Sequence, residues 1–237
     1  MKSAECGVCS PSMAVLLLIR HATNDFVKTG RLPGRTPNIH LNEEGRHQAE
    51  ALRSALASKK MDAVYASQLE RAIETAWRVA ASHALPVHIR PNLADIDNGT
   101  FTGRTIKDVA EDVATKDLWK VVVETPSAAV FPEGEAMLDM QRRVVGQIDA
   151  IALAHPDIET PVAEPNAHPT RRPQVVAIVM HADPIKAALA HYLGMPFDFF
   201  QRLGIAPASI STLLLNPAEP THKPQVMHVN RVPYDGA

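Results

Sequence analysis

Two apolar runs of similar length, each closed by a histidine, limit what this chain can fold into. Ala14-Val-Leu-Leu-Leu-Ile19 leads into Arg20-His21, and Val175-Val-Ala-Ile-Val-Met180 leads into His181. An unbroken apolar run of this length reads as a strand buried on both faces, the pattern of a parallel sheet covered by helices. Helical spacing alternates with shorter strands between the runs. A helix is expected over about Glu43 to Ser58, with Asn42 as its N-cap and Ala49, Leu52 and Leu56 on one face. A short strand follows at Asp62–Ala66, then Ser67-Gln-Leu-Glu70 in the form of a capping box opening a helix to about His83. A third strand is expected at Pro86–Arg90, a helical stretch over Thr105–Val123 and an amphipathic helix over about Glu135–Leu153. Asp183 reads as the cap of the helix after His181, with Pro184 at its first position. Ile210–Leu215 and Val226–Val229 read as a closing pair of strands. The implied architecture is a three-layer α/β/α fold with a mainly parallel central sheet and helices on both faces.

His155 to Pro173 holds five prolines and reads as a loop, too long for a simple connection. Too few elements follow it to form a separate core, so residues 14–237 read as a single domain behind a mobile leader, residues 1–13. The leader carries both cysteines, Cys6 and Cys9. That excludes a disulfide framework and fits a reducing, cytoplasmic compartment. A lone C-x-x-C can be redox-active or half of a zinc site. With no second ligand pair at suitable spacing, it reads as inert. The leader has one Lys and no apolar h-region before Pro11, unlike a secretory signal.

Charge and apolar run length each exclude a kind of partner. Twenty-four basic residues stand against 26 acidic ones, a net charge of −2, without the clustered excess of Lys and Arg that a nucleic-acid binder carries. No run approaches the roughly 18 apolar residues that a membrane helix needs.

In a parallel sheet, ligands bind outside the carboxyl ends of the strands. His21 and His181, 160 positions apart in the chain, can therefore face one pocket. Arg20 follows its strand directly. Arg71 falls in the first turn after Ser67, where free backbone N–H groups and the helix dipole favour an anion. Two planar guanidiniums, two imidazoles and a helix N-terminus suit a dianionic phosphoryl group. Taken singly, a strand-end histidine is more often a satisfied polar residue, and a first-turn arginine a solvated one. His47, His83 and His191 keep that reading. Four such residues at carboxyl-end positions together carry more weight.

These residues sit in segments that resemble the histidine phosphatase superfamily, the phosphoglycerate-mutase-like fold. Leu17-Leu-Ile-Arg-His21-Ala22 resembles its R-H-G signature, with Ala22 in place of glycine. Leu41-Asn-Glu-Glu-Gly45 with Gln48-Ala49 resembles L-T-x-x-G-x-x-Q-A, and Ser67 to Ala76 resembles S-x-L-x-R-A-x-x-T-A. Leu93-Ala-Asp95-Ile96, Gly99 and Phe101-Thr-Gly103 resemble L-x-E-I-x-x-G-x-W-x-G, and Val179-Met-His181-Ala182 resembles V-x-H-G. The likeness runs from about Val15 to Leu215 in the family's order.

The resemblance implies that His21 is a nucleophile forming a phosphohistidine, with Arg20, Arg71 and His181 holding the phosphoryl oxygens. Asp95 stands where the family usually has a glutamate acid, and Asp97 is its rival. The family often places asparagine six residues after the histidine, where this chain has Val27, so Asn24 is the candidate substitute. Arg31 and Gly34 match an R-x-x-G pattern, and Arg31 and Arg35 are candidate substrate contacts. The scheme needs no metal and no cofactor. Family mutases carry a long basic and aromatic insert after the acid segment. Here Gly103 to Phe131 offers only Arg104, Lys107, Lys116, Lys120 and one aromatic, Trp119. A phosphatase of small phosphorylated metabolites is therefore expected. A phosphoglycerate-mutase-type enzyme and a non-catalytic phospho-ligand binder are the alternatives. The family includes dimers, so a homodimer stays open.

Overall fold

The computed structural model describes residues 13–160, 170–216, 218 and 223–233. The cysteine pair lies outside the described residues. The first half contains β1 (Ala14–Arg20), α1 (Asp25–Lys28), α2 (Glu43–Leu56), β2 (Ala63–Ala66), α3 (Glu70–Ala81) and β3 (Val87–Ile89). Then come α4 (Ile106–Glu111), α5 (Lys116–Glu124), α6 (Met137–Leu153), β4 (Ile158–Thr160) and β5 (Thr170–Arg172). The chain continues through β6 (Gln174–Met180), α7 (Ala182–Tyr192), β7 (Ile210–Leu215) and β8 (Gln225–Arg231).

Six strands form one sheet in the order β3-β2-β6-β1-β7-β8. β3, β2, β6 and β1 run parallel, and β7 and β8 complete the edge antiparallel. Alternation along the buried strands divides the core. Leu16 and Leu18 of β1 join Val176, Ile178 and Met180 of β6 against the apolar stripe of α6 and the inner face of α7. Leu17 and Ile19 join Ala177 and Val179 against α2 and α3 on the other face. Burial on both faces is why these runs are continuously apolar, and the expected three-layer architecture with a mainly parallel sheet is what the chain adopts.

The structure corrects several local expectations. Ser67 does not cap a helix through a capping box; α3 begins at Glu70 with Leu69 at its N-cap and no side-chain cap bond. Asp183 is not a cap either, because α7 begins at Ala182 with His181 at the N-cap. The stretch Thr105–Val123 is two helices, α4 and α5, broken at Asp112–Thr115. The proline-rich segment contains an antiparallel ladder, β4 with β5, pairing Ile158–Thr160 with Thr170–Arg172. Met13 donates its backbone N–H to Asp157 Oδ1 at 2.9 Å.

Asn42 caps α2 as expected, its Oδ1 accepting from Gly45 N at 2.9 Å. The helix then packs directly on the loop after β1. A Cβ added at Gly45 would lie 1.9 Å from the Thr23 carbonyl oxygen. Two backbone donors of that loop are also fixed from the helical layer. Thr23 N donates to Gln48 Oε1 of α2 at 2.9 Å, and Ala22 N to Thr75 Oγ1 of α3 at 3.0 Å. Gly45→Ala is therefore an overpacking change against backbone, expected to lower stability by about 1–3 kcal/mol. Urea unfolding of both proteins checks this; an unchanged midpoint would mean that the loop yields freely.

Candidate active site

β1 and β6 end side by side. Their register closes at Arg20↔Met180, and His21 N donates to Met180 O at 2.9 Å. His21 and His181, the next residues on each chain, therefore face each other with ring centroids 5.2 Å apart. Both are buried. Burial, then the charges of Arg71 and Arg20, hold His21 well below the usual imidazole range, although its bond to Ala22 works the other way. The ring is neutral near neutral pH. Its Nδ1 lies 2.8 Å from the Ala22 carbonyl, which can only accept. The single ring proton therefore sits on Nδ1, and Nε2 presents its lone pair to the site.

His181 is neutral for the same reasons, burial first and then the charges of Arg71 and its neighbours. Ser67 Oγ lies 2.9 Å from His181 Nε2. Leu69 N also donates to that oxygen at 3.3 Å, and when the Ser67 hydroxyl donates to Nε2 the ring proton sits on Nδ1. His181 Nδ1 has no hydrogen-bond partner among the described residues and lies 3.6 Å from Asp95 Oδ2.

Arg71 sits in the first turn of α3, its side chain wholly buried. Its Nη2 donates to Gly34 O at 2.8 Å and approaches Asp95 Oδ2 at 3.4 Å, while its Nε has no partner among the described residues. A buried guanidinium with an unused donor is costly unless an anion completes it. Arg20 donates from Nη1 to Ile205 O at 2.6 Å at the wall of the same cleft. Asp95 is the carboxyl of the site. Burial raises it to about 6, against the opposing pull of Arg71, and the Asp183 carboxylate adds to the rise. Together these groups can accept a phosphoryl group on Nε2, hold its oxygens and exchange a proton beside it.

The sequence-derived residues fall into three places. Arg20, His21, Asp95 and Arg31 line a cleft of about 460 Å³. Arg71 and His181 lie buried beneath it, within 3.4 and 3.6 Å of Asp95. Asn24, Arg35 and Asp97 do not line it. Asn24 caps α1, Oδ1 accepting from Val27 N at 2.9 Å, and its buried Nδ2 has no partner among the described residues. Asp97 Oδ1 accepts from Gly99 N at 3.0 Å, closing its own loop. Arg35 joins an ion cluster with Glu135, at 2.9 Å, and Arg143. Asp183 and Lys186 of α7, 3.3 Å apart, also line the cleft and were missed, because nothing local separates them from an ordinary solvated helix turn. Gln48 and Thr75, which hold the loop after His21, lie within the motifs quoted from the sequence but have no role there, and Ser67, read there as a cap, instead bonds His181. Among the described residues, no group of three or more His, Cys, Asp or Glu could hold a metal ion.

An α/β sheet with a neutral histidine, a facing histidine, a buried Arg71 and a half-buried Arg20 at its carboxyl edge suits one class, the enzymes that handle phosphoryl groups. Comparison with known proteins narrows it. The sequence profile of the histidine phosphatase superfamily (branch 1) matches residues 16–224. Phosphoserine phosphatase 1 of Hydrogenobacter thermophilus is 27% identical over 201 residues, 85% of this chain and 86% of its own. A 2,3-bisphosphoglycerate-dependent phosphoglycerate mutase of Thermoplasma acidophilum is also 27% identical over 201 residues, 85% of this chain and 87% of its own. Mycobacterial glucosyl-3-phosphoglycerate phosphatase shares the fold with a TM-score of 0.76 and 24% identity, over 92% of this chain and 99% of that one. YhfR of Bacillus stearothermophilus does so with a TM-score of 0.78 and 21% identity, over 92% and 98%. The chain belongs to the histidine phosphatase superfamily, branch 1.

Asp95 titrates higher in the native state than its ordinary value of 3.8. The native state therefore binds more protons than the unfolded chain between about pH 4 and 6, and this group's contribution to stability falls as pH rises through that window. Asp95→Asn removes the term. The stability of the variant relative to wild type is expected to rise from pH 4 to pH 7 in urea titrations. A constant difference would put the native Asp95 carboxyl back at its ordinary value.

Proposed function

We propose that residues 14–237 are one catalytic domain, a cytoplasmic phosphatase that hydrolyses small phosphomonoesters through a phosphohistidine. The observation that carries this reading is that His21, its Nδ1 held by the Ala22 carbonyl, lines one cleft with the elevated Asp95 carboxyl. In the first step His21 Nε2 attacks phosphorus, an N–P bond forms and the ester P–O bond breaks. Asp95 gives its proton to the leaving oxygen, which departs as an alcohol. In the second step water attacks phosphorus and gives a proton to the Asp95 carboxylate. The N–P bond breaks and inorganic phosphate leaves. Arg20, Arg71 and His181 Nδ1–H hold the equatorial oxygens throughout, and Asn24 Nδ2 is a further donor on the nucleophile side.

A phosphatase is favoured over a mutase by the segment after the acid. Of residues 103–131 only Ile106 lines the cleft. Arg104 is engaged with Asp112 at 2.7 Å, and Lys107, Lys116 and Lys120 are exposed away from the cleft wall. None of them is placed to hold a second acidic group of a substrate or to cover a phosphohistidine. The curated relatives include both a phosphoserine phosphatase and a phosphoglycerate mutase, which agrees with a shared phosphoryl site and leaves the acceptor to the cleft.

Phosphate release from a panel of phosphomonoesters, 3-phosphoglycerate included, is expected from wild type and to be abolished in His21→Ala. Release that persists in the variant would overturn the phosphohistidine. Interconversion of phosphoglycerate isomers with no release would establish the mutase instead. Excess chelator is expected to leave the rate unchanged, and a chelator-sensitive rate would contradict metal-independent hydrolysis.

A further inference from the structure

The segment that carries Asp95 has no regular structure between its short 3-10 turn, Pro91–Leu93, and the next one, Gly99–Phe101. Its carbonyls need partners from elsewhere. One side chain of α6 holds two of them and one carbonyl of the turn before. Arg143 Nη1 donates to Asn92 O at 2.9 Å and to Ala94 O at 2.7 Å, and Nη2 to Asp95 O at 2.8 Å. The remaining two guanidinium N–H groups go to Glu135, Nε to Oε1 at 2.7 Å and Nη2 to Oε2 at 2.8 Å. All five donors of one arginine are thus committed.

Glu135 is held from a second side and holds the loop itself. Arg35 donates from Nη2 to Glu135 Oε2 at 2.9 Å and from Nε to Asp95 O at 3.2 Å. Glu135 N donates to Asp97 O at 3.0 Å. Burial works against the Glu135 carboxylate, yet its Arg143 hydrogen bonds and the nearby charges outweigh this and keep it below its ordinary range. Neither Glu135, Arg143 nor Arg35 lines the cleft.

We propose that Glu135 and Arg143, with Arg35, form a positioning clamp that grips the backbone of Asp95 and thereby sets the reach of its carboxyl to the leaving-group oxygen. The proposal rests on the phosphatase reading, in which Asp95 is the acid. Asp has one methylene less than Glu, so the backbone must supply the placement that a longer side chain would find by rotation. Loosening the clamp displaces the acid without touching the nucleophile. A displacement of about 1 Å at a reacting group costs on the order of 100-fold. The loss concentrates on substrates whose leaving oxygen needs the proton.

The test measures kcat/KM, which reports the first phosphoryl transfer, for glycerol phosphate and for p-nitrophenyl phosphate in wild type, Glu135→Gln and Arg143→Lys. The alkyl ester is expected to lose roughly 100-fold and the aryl ester only a few-fold, because nitrophenolate leaves without a proton. In the Asp95→Asn background the same substitutions are expected to cost the alkyl ester nothing further. Equal losses on both esters, or losses that add to that of Asp95→Asn, would reduce the cluster to general structural support and overturn the clamp. Glu135→Gln is nearly isosteric, so a fold failure in the arginine variant leaves the comparison standing. A wild type inert toward both esters would overturn the phosphatase reading instead. The clamp is then read from the Asp95 carboxyl titration by NMR. It is expected near 6 in wild type and nearer an ordinary carboxylate in Glu135→Gln, where a loosened loop admits water. An unmoved titration would overturn it.

Discussion

Seven consecutive residue pairs join β1 to β6 in parallel, and the register fixes where both chains leave the sheet. A slip of one residue would turn His21 to the opposite face, since side chains alternate with period two. The register is secured by burial on both faces. Leu16, Leu18, Val176 and Ile178 are locked against one helical layer, and Leu17, Ile19, Ala177 and Val179 against the other. The catalytic parts then divide between those layers. α2 and α3 hold the loop after His21 through Gln48 and Thr75 and supply Arg71. α6 and α7, on the other face, grip the Asp95 segment through Arg143 and begin at His181. The sheet is the common reference against which both halves are placed.

Electrostatics follow from that burial. Two agents hold His21 neutral, the state the proposed nucleophile needs: removal from water and the proximity of Arg71 and Arg20. The same guanidiniums make the interior poorly solvated for cations. Asp95 satisfies Arg71 only in part, at 3.4 Å, and burial lifts it to about 6, so near neutral pH it is close to exchanging its proton. A stronger resident carboxylate would neutralise the arginines and blunt their attraction for a phosphoryl dianion. A weaker one would leave the leaving oxygen without a proton donor. The site keeps Arg71 underpaired and the Asp95 carboxyl near 6, and both come from the depth at which they lie.

The large elements were readable because their signals are local. Six apolar residues before Arg20-His21 and before His181 can hardly be anything but buried strands, and Asn42 announced α2 by type and spacing. What failed were local patterns whose atoms are claimed from far away. Ser67 and Glu70 have capping-box spacing, but the Ser67 hydroxyl is engaged by His181, 114 positions later. Arg35 reads as a free cation in a loop until Glu135, 100 positions on, is brought beside it. The ladder of β4 with β5 was hidden by the prolines around it. The choice of Asp95 over Asp97 rests on motif register; that Asp95 lines the cleft while Asp97 Oδ1 accepts from Gly99 N is not legible in the sequence.

In the proposed phosphohistidine reading, the fate of a phosphoryl group on His21 depends on what can approach the N–P bond. Transfer to another substrate requires a cover that excludes water and a second anchor that holds the acceptor in line. Hydrolysis requires neither. The walls of this cleft come from the loop after α1, the start of α7 and the turn around Leu203–Ile205, with Ile106 as the sole contribution of residues 103–131. Its cations are already engaged in part: Arg31 with the Gly103 carbonyl at 3.1 Å, and Lys186 with Asp183 and with Gln201 at 3.1 Å. In the proposed reading, a cleft so built supplies no cover for a phosphoryl group on His21. The short, weakly basic segment after the acid and the hydrolytic outcome are thus one physical statement, that the acceptor is whatever the cover does not exclude.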